Sequence, residues 1–233
     1  KKRVVITGDG SISPLGLDSK SLWKNLLKGH SGVDLIQQFD TEKFSVKIAG
    51  EVKNFDPFNF FDAKEVKKLD RFTMFGLIAA KQAIDESNYS SSDAGVIVGT
   101  GVGGMHTLEE EYSKYIKKGQ RGVSPFYVPK MIPNIAGGQI AIKNNLTGLN
   151  FSMSTACSSA TDAIGMAYRL ISDGHINAIV CGGAEGSITP LTLSGFANMK
   201  ALSKNNDNPS KASKPFDKER DGFILSEGAG MLF

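Results

Sequence analysis

The sequence predicts an α/β domain with a mostly parallel sheet and helices on its faces. Short apolar runs suited to buried strands alternate along the chain with stretches of helical spacing. Glycines punctuate the ends of those runs, as at Gly8, Gly29, Gly99, Gly174 and Gly182. The 233 residues, 40% of them hydrophobic, are enough for a sizeable core in one or two domains. Charged residues make up 22% of the chain, and its 26 glycines follow no strict period, which excludes collagen-like, coiled-coil and wholly disordered classes.

Val4–Thr7, ending at Gly8, reads as the first buried strand. Leu22 to Lys28 reads as a short helix stopped by Gly29. Asp62 and Glu65 have capping-box spacing and open a helical region in which Phe72, Phe75, Ala79 and Ala83 recur at helical intervals. Ala94–Val98 is a second buried strand that runs into a glycine-rich turn. Glu109 to Lys118 is a helix, acidic first and basic last, as the macrodipole prefers. Leu149–Ser154 is a third strand. Ala160, Ala163, Ile164, Ala167, Leu170 and Ile171 form one face of a helix from Ser158 to Asp173. Ile176–Cys181 is a fourth strand, closed by Gly182-Gly183, and Ser203–Asp221 is a long polar loop. An apolar strand begins at Gly230–Phe233, so the expectation is the front part of a larger fold.

Net charge is +3, too small to point to nucleic acid or a membrane surface. No apolar run approaches the roughly 18 residues of a spanning helix. Behind the basic Lys1-Lys2-Arg3 the apolar stretch is too short for a secretory signal. Two cysteines make no disulfide framework and fit a reducing, cytoplasmic setting.

Cys157, in Thr155-Ala156-Cys157-Ser158-Ser159, sits where a strand passes into a helix. Free N–H groups and the dipole at a helix start favour a thiolate and can hold a developing oxyanion. Small neighbours leave room for a substrate. Position alone also fits an inert buried cysteine. Cys181, at alternation spacing within a strand, reads as structural. Gly99-Thr100-Gly101-Val102-Gly103-Gly104 matches G-x-G-x-x-G, but no second strand ending in an acid follows at the distance a dinucleotide site needs. Close backbone approach is the better reading of that turn.

Thr155–Ser159 resembles the nucleophile motif of the β-ketoacyl-acyl-carrier-protein synthases of the thiolase superfamily. Val4–Gly8 with Ser13–Gly16, Ser124–Pro129, Gly182–Glu185, and above all Pro215–Phe223 with Glu227–Gly230 resemble further family segments in the same order. Together they look like the elongating, type II enzymes. The resemblance implies a thiolase-like layered αβαβα fold, of which residues 1–233 would be the N-terminal half with its capping segments and the C-terminal half would be absent. It implies a condensing acyltransferase of fatty acid biosynthesis. Cys157 would take an acyl chain from acyl carrier protein as a thioester and extend it by two carbons from malonyl-carrier protein. It calls for neither cofactor nor metal.

By the same resemblance Val102 and Phe196 line the acyl pocket, with ordinary core packing as the alternative. Lys64, Lys67, Lys68, Arg121 and Lys200 would face the acidic carrier protein, although solvated charge is their ordinary meaning. The glycine-rich turn would lie at a homodimer interface, and the Leu149–Ser154 strand would pair across its two-fold axis. Three positions depart from the pattern. Gly122 replaces a second basic residue, Asp9 an apolar one and Ser226 a glycine. The family's two histidines and lysine belong to its second half, and His30, His106 and His175 lie in no matching motif, so this chain alone is expected not to condense. The alternatives are a polyketide-type ketosynthase and a non-catalytic acyl- or carrier-binding fragment.

Overall fold

A computed structural model describes residues 1–233. The elements in chain order are β1 (Asp9–Ile12), α1 (Ser19–Leu27), β2 (Asp34–Leu35), β3 (Ile48–Ala49), α2 (Ala63–Val66), α3 (Arg71–Ser87), β4 (Gly95–Gly99) and α4 (Met105–Lys118). They continue with α5 (Tyr127–Met131), α6 (Ile135–Lys143), β5 (Asn150–Met153), α7 (Ser159–Ser172), β6 (Ile179–Glu185), α8 (Pro190–Asn198) and β7 (Gly228–Leu232).

Five strands form one mixed sheet in the order β1-β7-β6-β4-β5, and β2 and β3 form a separate small pair. β4 runs parallel to both β5 and β6, whereas β7 is antiparallel to β6 and β1. The parallel character is thus confined to the β6-β4-β5 side. Strand alternation splits the core in two. Val96, Val98, Val180 and Met231 pack with Phe72, Phe75 and Ala79 of α3 and Ala136 and Ile140 of α6. Ile97, Ile179 and Cys181 point the other way, against Ala163 and Ala167 of α7. The layers are therefore α3 and α6, the sheet, and α7, as the α/β expectation requires. The outer side of α7 leaves Tyr168 exposed, and Ile164, expected on the apolar face of the helix, is exposed as well, outside the cluster that Ala163 and Ala167 join.

Local chemistry sets the helix starts. Asp62 accepts from Lys64 N at 2.7 Å and Glu65 N at 2.8 Å, while Glu65 accepts from Asp62 N at 3.1 Å, completing the capping box. The Asp70 carboxylate caps α3 at Phe72 N (3.3 Å) and also accepts from Thr107 N and Oγ1 at 2.9 and 2.5 Å, fastening the start of α4 to it.

Two strand expectations need correction. Val4–Thr7 is not a strand, and Val5 and Ile6 are exposed. The ladder with β7 is made by Asp9–Ile12; ahead of it Thr7 N–H donates to Phe233 O at 2.9 Å and Lys2 N–H to Ser172 O, at the end of α7, at 2.7 Å. Gly182-Gly183 does not close β6; the strand runs through it to Glu185. A side chain on Gly182 would meet the Gly230 backbone, and one on Gly183 would stand 2.6 Å from Ala160 Cβ, so these glycines allow close approach of β7 and of α7 to β6.

Candidate active site

β5 delivers the chain to a short 3₁₀ turn, Ala156–Ser158, from which α7 departs. Cys157 is exposed in that turn. Ala156, immediately before it, has φ 53°. A non-glycine residue there costs about 1–2 kcal/mol, so the surrounding bonds must hold the turn. Thr155 N–H donates to Ser159 Oγ at 2.9 Å, and Ser159 Oγ donates to Ala156 O at 2.7 Å. Thr155 Oγ1 and Ser158 Oγ donate to Asp162 Oδ2 at 2.5 and 3.1 Å. These hydroxyls, Thr155 first, hold the Asp162 carboxyl below its ordinary pKa. Cys181 lies buried in β6, where burial pushes its thiol up to about 11.

The glycine-rich turn after β4 meets the nucleophile turn at the C-terminal ends of the parallel strands, where open α/β sheets gather their sites. Ser154 Oγ donates to Gly101 O at 3.3 Å. Ser159 Oγ lies 3.4 Å from Thr100 O. Gly101 N–H donates to Glu185 Oε2, at the end of β6, at 2.7 Å. Burial raises the Glu185 pKa against the lowering effect of that bond. Gly99 lies against the backbone of Ser159 and Ala160, leaving no room for a side chain. Its place in the turn is close backbone approach, as expected.

Val102 follows Gly101 and is 46% exposed. Phe196 sits half-buried on α8 against Ile188, Leu193 and Leu202, with its ring 5.3 Å edge-on from Phe223. Val102 is linked to the cysteine turn through Gly101 and Ser154, whereas Phe196 belongs to the neighbouring apolar cluster. Lys64, Lys67 and Lys68 are exposed on and just after α2. Lys68 Nζ stands 5.4 Å over the Phe126 ring, which ties this group to the segment that begins just after Arg121. Arg121 is exposed in the turn after α4, and exposed Lys200 follows α8 with φ 57°.

None of the histidines adjoins the cysteine turn through a hydrogen bond. His30 Nδ1 lies 3.2 Å from Asn25 Oδ1. His175 is exposed after Gly174. His106 is half-buried in the first turn of α4, and burial lowers its pKa against the opposing pull of Asp70. Of the departures, Ser226 has a physical account: its Oγ donates to Gly50 O at 3.0 Å, tying the approach to β7 to the end of β3. Nothing in the structure explains Asp9.

Sequence reasoning missed Asp162, Glu185 and the Arg71–Glu227 pair. Ser158 and Asp162 stand four apart on one helix face, a spacing that could have shown the first. No sequence signal links Arg71 to Glu227.

A family model described as beta-ketoacyl synthase, N-terminal domain, matches residues 1–233. A 3-oxoacyl-acyl-carrier-protein synthase 2 of Synechocystis sp. is 44% identical over 237 residues, covering 100% of this chain and 57% of that protein. Its counterpart in Staphylococcus aureus is 43% identical over 236 residues, covering 99% and 57%. Among solved structures, a beta-ketoacyl synthase from Burkholderia phymatum superposes with a TM-score of 0.88 at 27% identity, over 100% of this chain and 58% of that one. A type II polyketide ketosynthase, solved with its acyl-carrier protein, gives 0.84 at 26% identity, over 99% and 57%. The chain thus spans about 57% of the length of the curated relatives it matches. With an exposed cysteine on a strained strand-to-helix turn and a family match from first residue to last, the chain belongs to the beta-ketoacyl synthase family and matches its N-terminal domain.

Proposed function

We propose that this chain is the N-terminal half of a 3-oxoacyl-acyl-carrier-protein synthase of fatty acid elongation and that Cys157 is its nucleophile. The observation that carries this is the contrast between two cysteines: Cys157 exposed at the head of α7, and Cys181 buried with its thiol pushed up to about 11. The Cys157 thiolate attacks the carbonyl carbon of an acyl-carrier-protein thioester. The new S–C bond forms as the carrier's S–C bond breaks, and the carrier sulfur leaves as a thiolate that takes a proton. Backbone N–H groups at the turn, that of Cys157 among them, face the negative charge developing on the carbonyl oxygen. Malonyl-carrier protein then loses CO₂, and its carbanion attacks the acyl-Cys157 carbonyl. That step releases the Cys157 thiolate and a 3-oxoacyl chain two carbons longer. The donors that stabilise the enolate lie in the half of the family fold beyond these residues.

Val102 borders the acyl chain through its link to the cysteine turn, and Phe196 closes the pocket from α8. Lys64, Lys67, Lys68, Arg121 and Lys200 receive the acidic carrier protein. The neighbour solved as a ketosynthase in complex with an acyl-carrier protein supports a partner of that kind. β5 is an edge strand, which suits pairing with a second copy across a two-fold axis. No helix is long and apolar enough to cross a membrane. The polyketide-type reading has support in the same neighbour, but the 43–44% identity to fatty-acid-type relatives exceeds its 26%.

The test is the full-length protein incubated with acyl-labelled carrier protein, quenched and mapped. Label is expected on the Cys157 peptide and absent from Cys157→Ala. Label retained by Cys157→Ala would overturn the assignment.

A further inference from the structure

We infer that Asp162 is a positioning residue for acyl transfer at Cys157, latching both flanks of the nucleophile turn to the first turn of α7. This rests on Cys157 being the nucleophile, as proposed above. One carboxylate oxygen, Oδ2, accepts from Thr155 Oγ1 at 2.5 Å and from Ser158 Oγ at 3.1 Å. Those donors stand two residues before Cys157 and one residue after it, so a single atom grips the turn on both sides of the reacting sulfur. Ser158 Oγ also lies 2.9 Å from Thr155 O and 3.0 Å from Thr155 Oγ1, closing the ring of contacts.

The turn needs such a grip. Ala156 is left-handed without being glycine and will relax if its neighbours let it. The Ser159 hydroxyl holds the backbone from one side, between Thr155 N and Ala156 O. Asp162 holds the side-chain face. Relaxation of Ala156 would swing the Cys157 N–H and Sγ together, because both follow from the same backbone torsion. Nucleophile and oxyanion donor would then leave their places at once. The anionic form of Asp162 suits the task twice over: an ionised acceptor makes the stronger hydrogen bonds, and a negative charge in the first turn of a helix opposes its dipole favourably. The loss falls on the acylation step and not on binding of the carrier protein, which meets the protein elsewhere.

The experiment measures single-turnover acylation of the full-length protein by acyl-carrier protein, over a range of carrier concentrations. Four variants are compared: Asp162→Ala, Asp162→Asn, Thr155→Val and the double variant Thr155→Val/Asp162→Ala. Asp162→Ala is expected to lower the limiting acylation rate by about 10- to 100-fold, the scale for displacing a reacting group. The half-saturating carrier concentration should stay within about twofold. Asp162→Asn should recover most of the rate, because its amide oxygen accepts the same hydroxyls. The double variant should be no slower than the slower single one, since both remove the same bond. A wild-type limiting rate in Asp162→Ala overturns the latch. So does an Asp162→Asn as slow as Asp162→Ala, or two losses that multiply. Acylation that persists in Cys157→Ala overturns the nucleophile itself, whereas an inert Cys157→Ala beside a fully active Asp162→Ala overturns the latch alone.

Discussion

Replacing Glu227 with alanine should destabilise the protein more than almost any other single change to a polar side chain. Its side chain is fully buried, and it takes two bonds from Arg71, Nε to Oε2 at 2.7 Å and Nη2 to Oε1 at 2.6 Å. Oε1 also accepts from Val52 N at 2.8 Å and Gln38 Nε2 at 3.2 Å. The Arg71 guanidinium lies 5.1 Å over Phe55 and 4.9 Å over Phe75. One carboxylate therefore joins the head of α3, the approach to β7 and the segments flanking β2 and β3. Removing it strands a cation and a backbone N–H. Breaking a buried pair in this way costs about 3–5 kcal/mol. The Arg71 side chain keeps 22% of its exposure, so water reaches it and the lower end applies, about 3 kcal/mol. For a domain of this size that is a fall of about 6–12 °C in Tm. Urea unfolding of Glu227→Ala, with an unchanged slope, measures it. The double variant Arg71→Met/Glu227→Met leaves no buried charge and should recover part of the loss. A Glu227→Ala protein within about 0.5 kcal/mol of the parent would refute the reasoning, because it would mean that water had satisfied the arginine all along.

Brief iodoacetamide treatment near pH 8 should label Cys157 and spare Cys181; with its pKa near 11 against 9.0, Cys181 holds about 100-fold less thiolate than an ordinary thiol. Its labelling should rise only as the pH approaches 11 or as the fold opens, and peptide mapping that found equal labelling at pH 8 would contradict the site. Charge reversal at Lys64, Lys67, Lys68 and Lys200 together should raise KM for acyl-carrier protein and leave small thioesters nearly unaffected, an effect that added salt should shrink. Unaltered carrier kinetics in that quadruple variant would remove the lysines from the docking surface.

The chain's own residues determined what local chemistry and periodicity can determine. The Asp62–Glu65 capping box, the α3 face, the α7 face apart from Ile164 and the buried strand at Val96–Val98 all follow from interactions within a few residues, so they appear in the structure much as the pattern predicts. The placement of Cys157 at a strand-to-helix junction was legible for the same reason: such a junction is a local event. Where the strands begin and end was less so. Val4–Thr7 has the composition of a buried strand, but pairing is a long-range event, and the ladder with β7 is made by Asp9–Ile12. Gly182-Gly183 has the composition of a stop, yet Gly230 and Ala160 pack so closely there that glycine is what lets β6 continue. The meeting of Gly101 with Ser154 and Glu185, and of Arg71 with Glu227, was left to the tertiary structure, because residues tens to more than a hundred positions apart share a bond only after the sheet order has set their elements side by side.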